Sequence, residues 1–211
     1  MDRQKWVVMM LLYWQVDLTK SCNYNAVKLL NEEYSKFGVT TKITFAAIFA
    51  ALVFIVTSQI PPIPIPATGG YFNIGEATIY VAALIFGPFV GAFSGGVGAM
   101  LADVSLGYVA FAPGTLIIKG VEGAIVGFLN IKLKKSIPNP TVRAIIAVTV
   151  GGLVMVAGYF LYEILLAMLF PGLEIFAVAE IPLNIGQMLA GLIIAVPIMH
   201  TVLRFFPQLK N

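Results

Sequence analysis

The sequence predicts an all-α integral membrane protein, a bundle of six transmembrane helices with both termini on the cytoplasmic side. Three observations carry that expectation. The first is composition. Of 211 residues, 59% are hydrophobic and only 11% charged, with a mean hydropathy of +0.93. Globular chains run to about 45–50% apolar and about 25% charged, so this chain holds more apolar surface than one water-exposed fold can hide. The second is continuity. The apolar runs are unbroken and reach toward the roughly 20 residues that a helical span needs. A barrel would show alternation instead, and strands are not expected. The third is the placement of the cations, taken up below.

The elements follow in order. Residues 1–41 are read as a cytoplasmic or interfacial extension, or as lying upstream of the true start. In that second case translation from Val27 leaves a compact basic N-terminus. The run Trp6–Val16 is apolar but only 11 residues long, too short to span, and no small-residue cleavage site follows it. Cys22 is the single cysteine, so no internal disulfide can form. The membrane domain is placed at 42–205, with a tail at 206–211. Its spans are expected at 43–60, 75–87, 89–107, 113–133, 144–169 and 181–203. "PPIPIPATGGYFN" at 61–73 reads as a loop, and "KLKKSIPNPTVR" at 132–143 as a charged loop broken by proline. Pro197 falls inside the last span, where a proline kinks a helix without ending it.

Lys and Arg gather in cytoplasmic loops. Of thirteen, six precede the first span (Arg3, Lys5, Lys20, Lys28, Lys36, Lys42) and four fall in 132–143 (Lys132, Lys134, Lys135, Arg143). Two more, Arg204 and Lys210, are near the C-terminus. With six spans these places share one side, which gives N-in, C-in. The opposite loops, 61–73, 108–112 and 171–180, hold neither residue type. The +3 charge is thereby explained without a nucleic-acid partner.

The thirteenth cation, Lys119, lies within a span. A charge there costs upward of about 2.5–3.5 kcal/mol, so it faces a cavity or a partner. Placed at about 1.5 Å per residue, Glu76, Asp103, Lys119, Glu122, Glu163, Asn184 and Gln187 all fall in the outer halves of their spans. The inner halves read as nearly bare of polar groups. That pattern predicts a cup open to the outside with an apolar floor, not a channel. Each residue alone could be structural, Lys119 and Glu122 pairing at i, i+3 for instance. Their joint clustering points to a binding site. Tyr71, Phe72, Tyr80, Tyr108, Phe111, Tyr159 and Tyr162 also fall toward that side, as an interfacial aromatic belt or as walls for a flat heteroaromatic ligand.

Small residues recur every fourth position: Ala46 with Ala50, Ala47 with Ala51, then Gly87, Gly91, Gly95 and Ala99, then Gly123 and Gly127. Such stripes let helices approach closely. In the third and fourth spans they predict internal packing. In the first span the stripe could equally face a partner. The chain carries no GxxxxGK[ST], HExxH or GxSxG motif, so it neither powers transport with ATP by itself nor shows a hydrolase signature. No catalytic residue, no resident cofactor and no metal site is expected. The lone histidine, His200, falls near the inner end.

The stretch 70–128, "GYFNIGEATIYVAALIFGPFVGAFSGGVGAMLADVSLGYVAFAPGTLIIKGVEGAIVGF", resembles the substrate-binding S component of energy-coupling factor (ECF) vitamin transporters, in their riboflavin and hydroxymethylpyrimidine-type branch. The shared features are an N-[IL]-G-D start to span two, a G-P hinge with a glycine-rich span three, and A-D-x-x-x-G-Y before a K-G-x-E-G helix. Glu76 departs from the Asp that many members carry, which bears on the pocket's size. The resemblance implies a non-enzymatic subunit that binds a vitamin near the outer face, under the loop between helices one and two. Riboflavin leads the candidates, ahead of thiamine precursors and pyridoxine-like compounds. It also implies a separate T subunit and two ATP-binding subunits, which use the ATP while the vitamin is cargo. On that basis Tyr71, Asn73, Glu76, Asp103, Tyr108, Lys119, Tyr159, Glu163, Asn184 and Gln187 are the expected ligand-binding residues. Ala46, Ala47, Ala50 and Ala51 are the expected docking face for the T subunit. A self-sufficient secondary transporter is the alternative; it would need polar groups at mid-membrane and beyond.

Overall fold

The computed structural model describes residues 38–60, 63–65, 70–170 and 177–209. The expectations for the extension before residue 38 lie outside them. Helices α1 (Val39–Ser58), α2 (Gly75–Phe86), α3 (Pro88–Leu106), α4 (Ala112–Lys132), α5 (Pro140–Leu169) and α6 (Ala177–Phe205) account for most of the described chain. Five of them are long and apolar enough to cross a membrane, and α2, with 12 residues, is a shorter apolar helix.

One expectation is corrected at once. The connection 61–73 is not a plain loop, because β1 (Ile63–Ile65) pairs antiparallel with β2 (Gly70–Phe72), Pro64 opposite Tyr71. The two strands make the whole sheet, so each is an edge, where a proline's missing N–H disrupts no ladder. The aromatic pair Tyr71-Phe72 suits the pleated surface.

Helix ends follow local chemistry. Gly87 takes φ 88° between α2 and α3, a conformation that glycine adopts at little cost, and Pro88 then opens α3 at its first turn. Gly107, also at φ 88°, closes α3 in the left-handed conformation. The Asn139 side chain caps α5, accepting from the amides of Thr141 (2.9 Å) and Val142 (3.3 Å), with Pro140 at the first helical position. This cap lengthens α5 beyond the expected 144–169. Arg143 therefore lies in the first turn of a helix and not in a loop.

Burial sorts the helices. Ten of the twelve residues of α2 are buried, so this short helix is enclosed by protein. Helix α1 buries only Ala46, Ala50, Val53 and Thr57, a single narrow stripe. Helices α3 and α4 meet almost backbone to backbone: a methyl on Gly91 would sit 2.7 Å from the Gly123 carbonyl oxygen, and one on Gly95 would sit 2.7 Å from that of Lys119. Only glycine permits this approach. It brings the Lys119 turn against α3. The main core joins Tyr80, Leu84, Val126, Ala147, Val148 and Ala195 from α2, α4, α5 and α6.

The α1 stripe divides the four alanines between two faces. Ala46 and Ala50 face the bundle; a methyl on Gly98 of α3 would lie 2.5 Å from the Ala50 carbonyl oxygen. Ala47 and Ala51, about 100° further round the helix, are exposed. Four-residue spacing fixes a stripe but not its direction.

Candidate functional site

At one end of the bundle, β2 and all six helices contribute to a single polar cavity of about 60 Å³. All ten residues picked from the sequence line it: Tyr71, Asn73, Glu76, Asp103, Tyr108, Lys119, Tyr159, Glu163, Asn184 and Gln187. Alternating helix direction explains the gathering. The site takes the end of α1, the start of α2, the end of α3, the first half of α4, the second half of α5 and the start of α6.

Lys119 is the hub. Its Nζ donates to Glu76 Oε1, lies 3.4 Å from Glu122 Oε2, and sits 5.3 Å from the centre of the Tyr159 ring. Glu122, fully buried, accepts from the Tyr80 hydroxyl at 2.7 Å. The ammonium is thus balanced by two carboxylates and an aromatic face, which makes its burial tolerable. Glu122 stands behind Lys119, away from the cavity surface, and orients it.

Three further groups complete the lining. Tyr71 donates to Asp103 Oδ1 at 2.6 Å and packs on Tyr108 with ring centroids 4.7 Å apart. Burial, and next the Asp103 carboxylate, holds the Tyr71 phenol above its ordinary pKa, so the hydroxyl stays a donor. Asn73 Nδ2 donates to Gln187 Oε1 (3.1 Å) and Gln187 Nε2 to Asn184 Oδ1 (3.3 Å), while Asn73 Oδ1 accepts from the Gly75 amide (2.8 Å). This chain ties the start of α2 to α6. Opposite it, Thr115 and Tyr159 share a hydrogen bond of 3.0 Å between hydroxyls.

Four polar contributors were missed by the sequence reading: Thr57, Thr115, Glu180 and the Gly75 backbone. Glu180 was assigned to the outer loop 171–180, yet it lies in the first turn of α6 and is buried. The small hydroxyls of Thr57 and Thr115 give no hydropathy signal. Phe111, one of the outer aromatics, completes the wall with Ile79 and Ala99, which nothing separates in sequence from lipid-facing residues.

The chemistry of the lining is specific. Glu76, Asp103, Glu163 and Glu180 meet one ammonium on the cavity surface. One oxygen each of Glu76, Asp103 and Glu163 is buried and receives no hydrogen bond from the described residues. A buried acceptor left so costs about 1–3 kcal/mol. A guest with several N–H or O–H donors would recover it. Among the described residues no cluster suits a metal ion.

A second correction concerns the other end. The inner halves are not bare: Arg143 is buried, its Nε donating to Asn130 Oδ1 (2.9 Å) and its Nη1 to the Ile137 carbonyl (3.3 Å), while Asn130 Nδ2 donates to the Leu84 carbonyl (2.8 Å). His200 Nε2 pairs with Thr141 Oγ1 at 2.9 Å. Between the two ends runs the core of Tyr80, Val126, Ala147 and Val148.

Fold and site together define a membrane-embedded helical bundle with a polar cavity at one end, separated from the other end by a packed core. Residues 38–204 match the family described as ECF-type riboflavin transporter, S component, and the chain belongs to that family. It is a family of transporter components, not of enzymes. The chain is 30% identical over 158 residues to the thiamine precursor transporter HmpT of Lactococcus lactis subsp. cremoris, covering 73% of this chain and 82% of that protein. It is 44% identical over 139 residues to a Pyrococcus woesei protein described as "Uncharacterized protein in gap 3'region", covering 66% of this chain and 86% of that one.

Proposed function

We propose that this chain is the substrate-binding subunit of an ECF-type importer in the cell membrane. It captures a vitamin or vitamin precursor at the outer face and delivers it with a separate T subunit and two ATP-binding subunits. In this reading α2 counts as a span beside the five longer helices, and the cationic end faces the cytoplasm by the positive-inside rule. The observation that carries it is the convergence of ten polar and aromatic residues, from β2, five helices and the connections before α2 and after α3, on one cavity. The packed core beneath favours a cup over the continuous polar path of a secondary transporter. Of the α1 alanines, only Ala47 and Ala51 remain available to dock a T subunit.

Within the class, the site favours a compact amino-substituted heterocycle, such as the hydroxymethylpyrimidine kind of thiamine precursor, over riboflavin. Ligand pockets usually enclose about 300–1,000 Å³, so a cavity of about 60 Å³ must open to admit any cargo, and a single ring demands the least opening. Ring and amino N–H groups match the carboxylate oxygens left without donors. The test is mass spectrometry of molecules that co-purify with detergent-extracted protein, followed by titration with hydroxymethylpyrimidine and with riboflavin. Tight pyrimidine binding with weak flavin binding is expected. A yellow, flavin-loaded preparation would restore riboflavin as the cargo. Capture of neither, nor of any other small molecule, would remove the binding-subunit reading.

A further inference from the structure

The acidic cavity does not balance its charges within the described residues. Four carboxylates line it, Glu76, Asp103, Glu163 and Glu180, against the single ammonium of Lys119. Two of the four have clear partners. Lys119 pairs with Glu76, and also with Glu122 behind it. Asp103 accepts the Tyr71 hydroxyl. Glu163 differs. It is 2% exposed, and its buried Oε2 receives no hydrogen bond among the described residues. The charge that acts on it is that of Glu180, another carboxylate, in the first turn of α6. Lys119 is already engaged by two carboxylates and forms no ion pair with Glu163.

A buried carboxylate needs a counter-charge as well as a donor. The amino group on an aromatic ring is neutral and supplies only the donor. An aliphatic amine, protonated at neutral pH, supplies both. We propose that the cargo is a cation: a single heteroaromatic ring bearing an aliphatic ammonium, which Glu163 receives as its counter-ion. This role rests on the binding-subunit reading above and adds to it the charge of the cargo. Glu163 then separates an amine from the alcohol of the same shape, because charge-assisted hydrogen bonds are roughly twice as strong as neutral ones. The tilted Tyr71–Tyr108 pair beside Asp103 gives the ring an aromatic wall.

The test is calorimetric titration of full-length protein in detergent, at neutral pH. The probes are two aminopyrimidines that differ only in an aminomethyl for a hydroxymethyl group. The parent should bind the aminomethyl form tighter by about tenfold. In Glu163→Gln that ratio should fall to near unity. Thermal unfolding without cargo gives a second readout. Glu163→Gln should melt at or above the parent, because a buried charge without a counter-ion has been removed. Equal or weaker binding of the aminomethyl form by the parent overturns the proposal and leaves the pyrimidine reading intact. Binding of neither form overturns both. A ratio unchanged in Glu163→Gln overturns it as well, because another carboxylate then reads the charge. So does a variant that melts well below the parent, because Glu163 then already holds a partner.

Discussion

Among the described residues the two ends of the bundle each bury one cation, and they treat it in opposite ways. Lys119 is neutralised at once by Glu76 and Glu122, within a lining that holds four carboxylates. Arg143 is held by an amide oxygen and a backbone carbonyl, beside a cavity whose described lining has only basic and neutral groups. The first arrangement leaves acceptors to spare and suits a guest rich in donors. The second gathers basic groups with no carboxylate in its described lining. One fold thus carries two cavities of opposite polarity, kept apart by the core around Tyr80 and Val126.

The hardest way to break this contrast is to remove Lys119. Lys119→Met leaves Glu76 and Glu122 facing each other without a counter-charge. Breaking a buried pair by deleting one partner costs about 3–5 kcal/mol, so a large fall in the thermal unfolding midpoint in detergent is expected. Adding Glu76→Gln should recover part of it. A variant that melts with the parent would show that the network contributes nothing to the fold.

A smaller effect is expected at α1. Ala50→Leu forces a larger side chain into the contact with Gly98 and should destabilise by about 1–3 kcal/mol. Ala51→Leu, on the exposed side, should melt with the parent and yet lose co-purification with a T subunit. If Ala51→Leu assembles normally, docking lies on another face.

Smaller still is the change at the basic end. Arg143→Met strips donors from Asn130 Oδ1 and the Ile137 carbonyl, a loss of about 1–3 kcal/mol. Stability should fall while affinity at the acidic pocket stays at the parent value. A matching loss of affinity would mean that the two ends are coupled through the core.

The acidic pocket was legible in the sequence because polar groups inside apolar runs are too costly to be incidental. Glu76, Asp103, Lys119, Glu163, Asn184 and Gln187 declared themselves that way. The rest was hidden for definite reasons. Thr57 and Thr115 are small hydroxyls that any apolar helix tolerates. Glu180 was lost to a loop because the helix start before it shows no sharp boundary. Arg143 reads as part of its charged loop because the prolines around it mark a break, whereas Asn139-Pro140 opens a helix. Ala46 and Ala50 share their spacing with Ala47 and Ala51, and only packing tells the inward pair from the outward one. The β-hairpin was masked by prolines, which argue against strands everywhere except at an edge.

The most direct test of the account is calorimetric titration of hydroxymethylpyrimidine into the purified parent, Asp103→Asn and Lys134→Gln/Arg204→Gln proteins. Tight binding by the parent, a loss of about tenfold or more in Asp103→Asn, as expected where a charged hydrogen-bond acceptor is removed, and full affinity in the basic-end variant are predicted. Equal affinity in the parent and Asp103→Asn, or a loss confined to the basic-end variant, would contradict capture at the acidic pocket.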